Sequence, residues 1–181
     1  GYAEMAVFQD KLWAIKESVW NSEDGVNWTK VLDKTPFGVR GYGEIVVFED
    51  KLWQLGSGAA VWCSEDGINW TCTVRDAHFE DRYGSAVAVY AGKLWLCGGA
   101  VHKESDPPEK HYKAFTTYND VWCSADGASW TRVIEHAPWA QRQWFVAREY
   151  DGKLWIFGGF STRESKNFAE SWTTTDGVSW E

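Results

Sequence analysis

This sequence predicts an all-β fold of four similar antiparallel units, and three observations predict it. The tripeptide Lys-Leu-Trp occurs four times, at 11–13, 51–53, 93–95 and 153–155. An Asp-Gly turn follows each copy, at 24–25, 66–67, 126–127 and 176–177. Each turn lies between two tryptophans eight residues apart: 20 and 28, 62 and 70, 122 and 130, 172 and 180. No stretch of useful length carries helical periodicity. Self-similarity at such a period marks an array of repeats. The units run approximately 1–39, 40–81, 82–141 and 142–181, within one domain spanning 1–181.

Each unit reads as strands a to d. Strand a is the apolar run before Lys-Leu-Trp: "YAEMAVFQD", "YGEIVVFED", "YGSAVAVYAG" and "WFVAREYDG". Its Val, Tyr and Phe suit a pleated surface. It ends in a turn dipeptide (Gln9-Asp10, Glu49-Asp50, Ala91-Gly92 or Asp151-Gly152), so a hairpin leads into strand b, which carries Lys-Leu-Trp. Strand c is "VWNS", "VWCS", "VWCS" or "SWTT". The Asp-Gly turn then leads into strand d, "NWTKV", "NWTCTV" or "SWTRVI", with "SWE" in the last unit. Such four-stranded units cannot bury both faces alone, and stacking them around an axis gives a β-propeller. Twelve of the 14 Trp fall at three repeat positions, which assigns them to inter-blade packing and hairpin pinning.

Composition narrows the function classes. An aromatic fraction of 17% and an apolar fraction of 44% predict a folded chain. A net charge of −8 argues against a broad nucleic-acid or anionic-membrane surface. No apolar run approaches the roughly 20 residues needed to span a bilayer. Cys63 and Cys123 stand where other units have Asn21 and Thr173, which speaks for small packed thiols rather than a disulfide framework. Compartment is left open by these features.

Arg40, Arg82 and Arg142 each stand twelve residues after a strand d Trp, and strand b ends in the glycine pairs Gly98-Gly99 and Gly158-Gly159. In these residues the repeat resembles the kelch propellers, including galactose-oxidase-like central domains. Unit 2 keeps Gly56 but has Ser57 next to it, and unit 1 has Lys16-Glu17 there. The cassette "SEDGVNW" is similar to the Asp-box hairpin of sialidases, one residue shorter between Asp and Gly. The resemblance implies a propeller and, for the arginines, contacts to acidic peptide partners. It carries over no copper ligands and no catalytic set, so no cofactor and no metal are expected.

Strand parity separates the two ends of the propeller. The a–b and c–d turns share one face and are tight; the b–c and d–a connections share the other, and only the b–c segment varies in length. Variable loops on a rigid scaffold are where binding residues concentrate. The expected ligand contacts are therefore Arg40, Arg82 and Arg142, with Phe79 and Trp139 three residues before the last two, and His102, His111 and Tyr112 on the unit 3 insertion "AVHKESDPPEKHYKAFTTYND". The bland alternative is that each guanidinium satisfies the scaffold and that the aromatics, with Phe37, plug blade seams. Pro107-Pro108 excludes a helix or central strand there and predicts a polar loop. The histidines and acids of this insertion match no standard metal spacing.

The reading is a non-catalytic binding scaffold for a protein, peptide or carbohydrate. Two other readings stand beside it: a propeller domain of a carbohydrate-active hydrolase, isomerase or oxidase, and a structural spacer. The Arg position of unit 1 falls one place before Gly1, and strand d of unit 4 stops at Glu181. The expectation is a four-blade fragment of a larger propeller of about six to eight blades, with four-blade closure or pairing of two copies as alternatives. Open end blades predict self-association.

Overall fold

The computed structural model describes residues 3–38, 43–102 and 115–181. Four antiparallel sheets follow one another as blades of a β-propeller. Blade 1 comprises β1 (Glu4–Phe8), β2 (Lys11–Ile15), β3 (Val19–Ser22) and β4 (Thr29–Leu32) in that spatial order. Blade 2 comprises β5 (Glu44–Phe48), β6 (Lys51–Leu55), β7 (Val61–Ser64) and β8 (Thr71–Val74). Blade 3 has β9 (Ala86–Tyr90), β10 (Lys93–His102), β11 (Phe115–Ser124) and β12 (Thr131–Ile134). Blade 4 has β13 (Val146–Tyr150), β14 (Lys153–Phe157) and, after a short hairpin of β15 (Phe160–Ser161) with β16 (Lys166–Asn167), β17 (Ser171–Thr174). Its fourth strand is represented by Glu181, which exchanges two backbone hydrogen bonds with Thr173. The strands a (β1, β5, β9, β13) are innermost, each packed beside the next.

The a–b turns form as the sequence predicts. Gln9 and Asp10, or Glu49 and Asp50, adopt positive φ at both central positions, the geometry whose twist matches paired strands. Each c–d hairpin is knitted by its own side chains. Ser124 Oγ accepts the Gly127 amide at 2.8 Å, and Asp126 Oδ1 accepts those of Ala128 and Ser129 at 2.8 and 2.7 Å. Those amides hold the Asp126 carboxyl down at about 2.

The seams between blades are where the strand b tryptophans act. Trp13 packs over Gly67 of blade 2, Trp53 over Gly127 of blade 3, and Trp95 over Gly177 of blade 4. Each indole donates its Nε1–H to the carbonyl that ends its own strand a, as Trp53 does to Phe48 at 2.9 Å. Three apolar clusters fill these seams, one between each successive pair of blades. The turns on this face also meet across seams: Gln9 Nε2 donates to Glu65 O at 3.1 Å, and the Tyr90 hydroxyl to Gly152 O at 3.0 Å and Thr175 O at 2.8 Å. The parity argument for the two faces thus holds.

The insertions differ from the expected loops. In blade 3, β10 and β11 run on past the body of the blade, pairing Gly99 with Tyr118 through His102 with Phe115, with a bulge between Cys97 and Gly99. Part of the insertion is an antiparallel ribbon, because Thr116, Thr117 and Tyr118 are good strand formers opposite Ala100 and Val101. All four cysteines are free thiols.

Candidate functional site

Four of the expected ligand contacts lie inside the scaffold. Arg82 donates from Nη1 to Asp120 Oδ1 at 2.7 Å and from Nη2 to Asp120 Oδ2 at 3.1 Å, a bidentate pair. It also donates to the Gly98 carbonyl at 3.0 Å and to the Phe79 carbonyl. Arg142 repeats this in blade 4, donating to Glu170, to Gly158 O at 2.8 Å and to Ala140 O at 3.0 Å. Both arginines are buried, and their planes lie over Tyr118 and Phe168. Phe79 is buried edge-on against Trp130 and Trp122, and Trp139 against Trp180. These four side chains pack in the seams and connections of the scaffold. The His102 backbone ends β10; its side chain, with Arg40, His111 and Tyr112, lies outside the described residues.

The structure opens a different site on the same face. A cleft of about 430 Å³ lies beside blade 2, between the connection carrying Pro36 and Phe37 and the short turn 57–60. Trp62 and Phe37 form its aromatic wall, ring centroids 6.1 Å apart. Exposed Arg75, Asp76 and Asp81 form its polar rim. The repeat explains the opening. Two residues before the strand c Trp, blades 3 and 4 carry Asp120 and Glu170, and blade 1 carries Ser18. Each accepts its own Trp Nε1–H: Ser18 from Trp20 at 3.0 Å, Asp120 from Trp122 at 2.7 Å, Glu170 from Trp172 at 3.1 Å. Blade 2 has Ala60 there. Among the described residues, none accepts from the Trp62 indole N–H, which is left beside the cleft. The signal was the Ala60 exception in the repeat alignment, beside one of the two short b–c connections.

The central opening is a cavity of about 280 Å³ lined by all four innermost strands, with Arg148 and Glu149 as its charged residues, and Glu4 and Glu44 begin the first two of these strands. Glu4 and Glu44 occupy one repeat position, where blades 3 and 4 have Ala86 and Val146. Burial pushes Glu44 up to about 7; the charge of Glu4 adds to this and Arg148 opposes it. Burial also raises Glu4, again against Arg148. The folded state therefore holds a proton on Glu44 that the unfolded chain releases near the ordinary carboxylate range. That contribution to stability is complete in acid and is lost as pH rises through about 7. Glu44→Gln should leave thermal stability unchanged at pH 5 and raise it at pH 8, on the order of 2 kcal/mol. Melting curves across that range check this, and equal melting points at both pH values would count against it.

A scan of protein-family models finds none that matches the chain, and a search of curated proteins finds no match. Among solved structures, the fold is similar to that of YjhT, with a TM-score of 0.70 over 91% of this chain at 16% identity. The match covers 51% of the YjhT chain, so this chain spans about half its length. At that identity the likeness is one of fold.

Proposed function

We propose that this chain is a binding module whose ligand seats in the cleft beside blade 2 and accepts the Trp62 indole N–H. The observation that carries this is the Ala60 exception: one strand c indole of four faces a cleft with its donor unused among the described residues. An unpaired donor favours an occupant that brings an acceptor. The aromatic wall and charged rim suit a short carbohydrate or peptide, and the volume lies in the range of small-ligand sites. The arginine anchors on the Gly98 and Gly158 carbonyls support a kelch-type reading of the blades. The proposed surface extends to Arg40, on the same connection as Phe37, and to His102, His111 and Tyr112 of the blade 3 insertion.

Glycan arrays and displayed peptide libraries test the proposal. Ala60→Asp would give Trp62 the internal partner that Trp122 has, and Arg75→Ala would remove a rim charge. Each should weaken a hit by about tenfold or more, the scale of one lost charge-assisted contact, without lowering the melting temperature. Binding that ignores both changes would move the ligand elsewhere.

Glu44 favours a second reading, an enzyme domain acting on a glycan. A carboxyl that keeps its proton near neutrality is what a general acid needs, and Glu4 offers a second carboxylate beside it. A sugar-turnover screen that Glu44→Gln abolishes would favour this reading over simple binding.

A further inference from the structure

The dipeptide Asp-Gly occurs five times, at 24–25, 66–67, 126–127, 151–152 and 176–177, and the chain contains no Asn-Gly. An aspartate is open to attack on its side-chain carboxyl by the next backbone nitrogen, and most of all before glycine, which puts no side chain in the way. The fold blocks that attack in the four c–d hairpins. There the glycine amide, the attacking group, donates to a hydroxyl: Gly25 to Ser22 at 2.9 Å, Gly67 to Ser64 at 2.9 Å, Gly127 to Ser124 at 2.8 Å and Gly177 to Thr174 at 2.9 Å. The carboxyl, the group attacked, accepts from the amides two and three residues on, as Asp66 does from Ile68 at 2.8 Å and Asn69 at 2.7 Å. A carboxyl held ionised by such bonds, as Asp126 is, is also the poorer electrophile. At Gly67, Gly127 and Gly177 a tryptophan ring fills the remaining space: an added Cβ would fall within 3.0 Å of Trp13, Trp53 or Trp95.

Asp151-Gly152 has none of these protections. It is the a–b turn of blade 4, with φ of 51° and 67°. Both residues are exposed, and so are Glu49, Asp50, Ala91 and Gly92 in the turns of blades 2 and 3, which have a blade on either side. The openness therefore belongs to this kind of turn and not to the end of the array. Beyond its chain neighbours, nothing lies within 4 Å of a Cβ built on Gly152. Among the described residues the Asp151 carboxyl makes no hydrogen bond or ion pair. The aspartates of the first two a–b turns, Asp10 and Asp50, are followed by lysine, whose side chain hinders the attack.

We propose that Asp151-Gly152 is a spontaneous modification site, at which the folded protein ages to an isoaspartyl linkage. The Gly152 nitrogen bonds to Asp151 Cγ; its proton and the carboxyl hydroxyl leave together as water, which closes a cyclic imide. Water then adds back at one of the two imide carbonyls. Opening at the side-chain carbonyl restores aspartate. Opening at the main-chain carbonyl routes the backbone through the side chain, one carbon longer, and frees the α-carboxylate. No oxidant or cofactor takes part, and the mass is unchanged overall. The longer turn shifts the Gly152 carbonyl, which accepts the Tyr90 hydroxyl at 3.0 Å across the seam between blades 3 and 4. Ageing thus loosens a seam as well as a turn, and Tyr90 keeps its bond to Thr175 O at 2.8 Å. This proposal is independent of the cleft beside blade 2.

Storage of the full chain at neutral pH, then tryptic digestion and labelling of the freed α-carboxylates by an isoaspartyl methyltransferase, tests it. The label should concentrate in peptide 149–153, at about tenfold or more over each of the four hairpin sites, the scale of one hydrogen bond broken before attack. In the chain stored unfolded in urea the five sites should label alike. Asp151→Glu gives this turn the side chain that blade 2 carries at Glu49. It should remove the label from 149–153 at an unchanged initial melting temperature, and stored wild type should melt below stored Asp151→Glu. Equal labelling of all five sites in the folded chain overturns the proposal. So does a peptide 149–153 that stays unlabelled after folded storage while urea storage labels it, because the turn would then be protective itself.

Discussion

Arg82→Ala lowers the stability of the fold by about 3–5 kcal/mol, and the equivalent Arg142→Ala costs distinctly less. The two arginines hold the same repeat position and make the same kinds of bond, so the difference lies in what each leaves behind. The Arg82 and Asp120 side chains are only 2% and 4% exposed. Truncating Arg82 strands a buried carboxylate that keeps the Trp122 indole as its remaining side-chain donor; it also takes the guanidinium from the Phe79 carbonyl and leaves the Gly98 carbonyl with the Ser85 hydroxyl alone among side-chain donors. Glu170, the partner of Arg142, is 47% exposed, and water can solvate it once the guanidinium is gone. The loss there reduces to carbonyl contacts and packing over Phe168, about 2 kcal/mol. Urea unfolding of the two variants, compared at equal slope, reads the difference. Equal losses would show that solvent reaches Asp120 as well. A paired Arg82→Met, Asp120→Leu change should recover most of the stability, since it removes both charges together.

This contrast also marks where the sequence was readable. The repeat placed the strands that the blades share, both kinds of tight turn and the separation of the two faces, because period-2 strands and Asp-Gly turns are local properties that survive in each copy. It also identified Arg82 and Arg142 as special, and allowed for their service inside the scaffold. Choosing between that service and a ligand required knowing that Asp120 and Glu170 come back beside them, across 38 and 28 residues of sequence. The insertion of blade 3 is a related case, its Pro107-Pro108 middle lying outside the described residues. Its charged, proline-bearing middle suggested a loop, while the ribbon that supports it is decided by cross-strand pairing between 99–102 and 115–118. The cleft beside blade 2 was the least visible feature, since it arises from a side chain that is missing. Ala60 looks unremarkable in its own repeat, and only the acceptors at Ser18, Asp120 and Glu170 show what it leaves undone.

Gly127→Ala should cost about 2–4 kcal/mol, and Gly25→Ala only about 1 kcal/mol, although both occupy one repeat position. Their backbones are alike, with φ of 71° and 76°, so the strain of placing a side chain in the left-handed region is common to both. The neighbours differ. A Cβ on Gly127 would fall within 3.0 Å of three carbons of the Trp53 ring, and that ring cannot swing aside without losing its Nε1–H bond to Phe48 O and its place in the seam. A Cβ on Gly25 meets one methyl of Leu12 at 3.3 Å, which can give way by a small rotation. The difference between the two variants therefore isolates the work of a tryptophan lid on a hairpin glycine. Measured in dilute solution, it should approach the overpacking penalty alone, about 1–3 kcal/mol. Urea unfolding of the two variants, compared at equal slope, reads that gap, and equal losses would show that the Trp53 ring yields as readily as the Leu12 methyl.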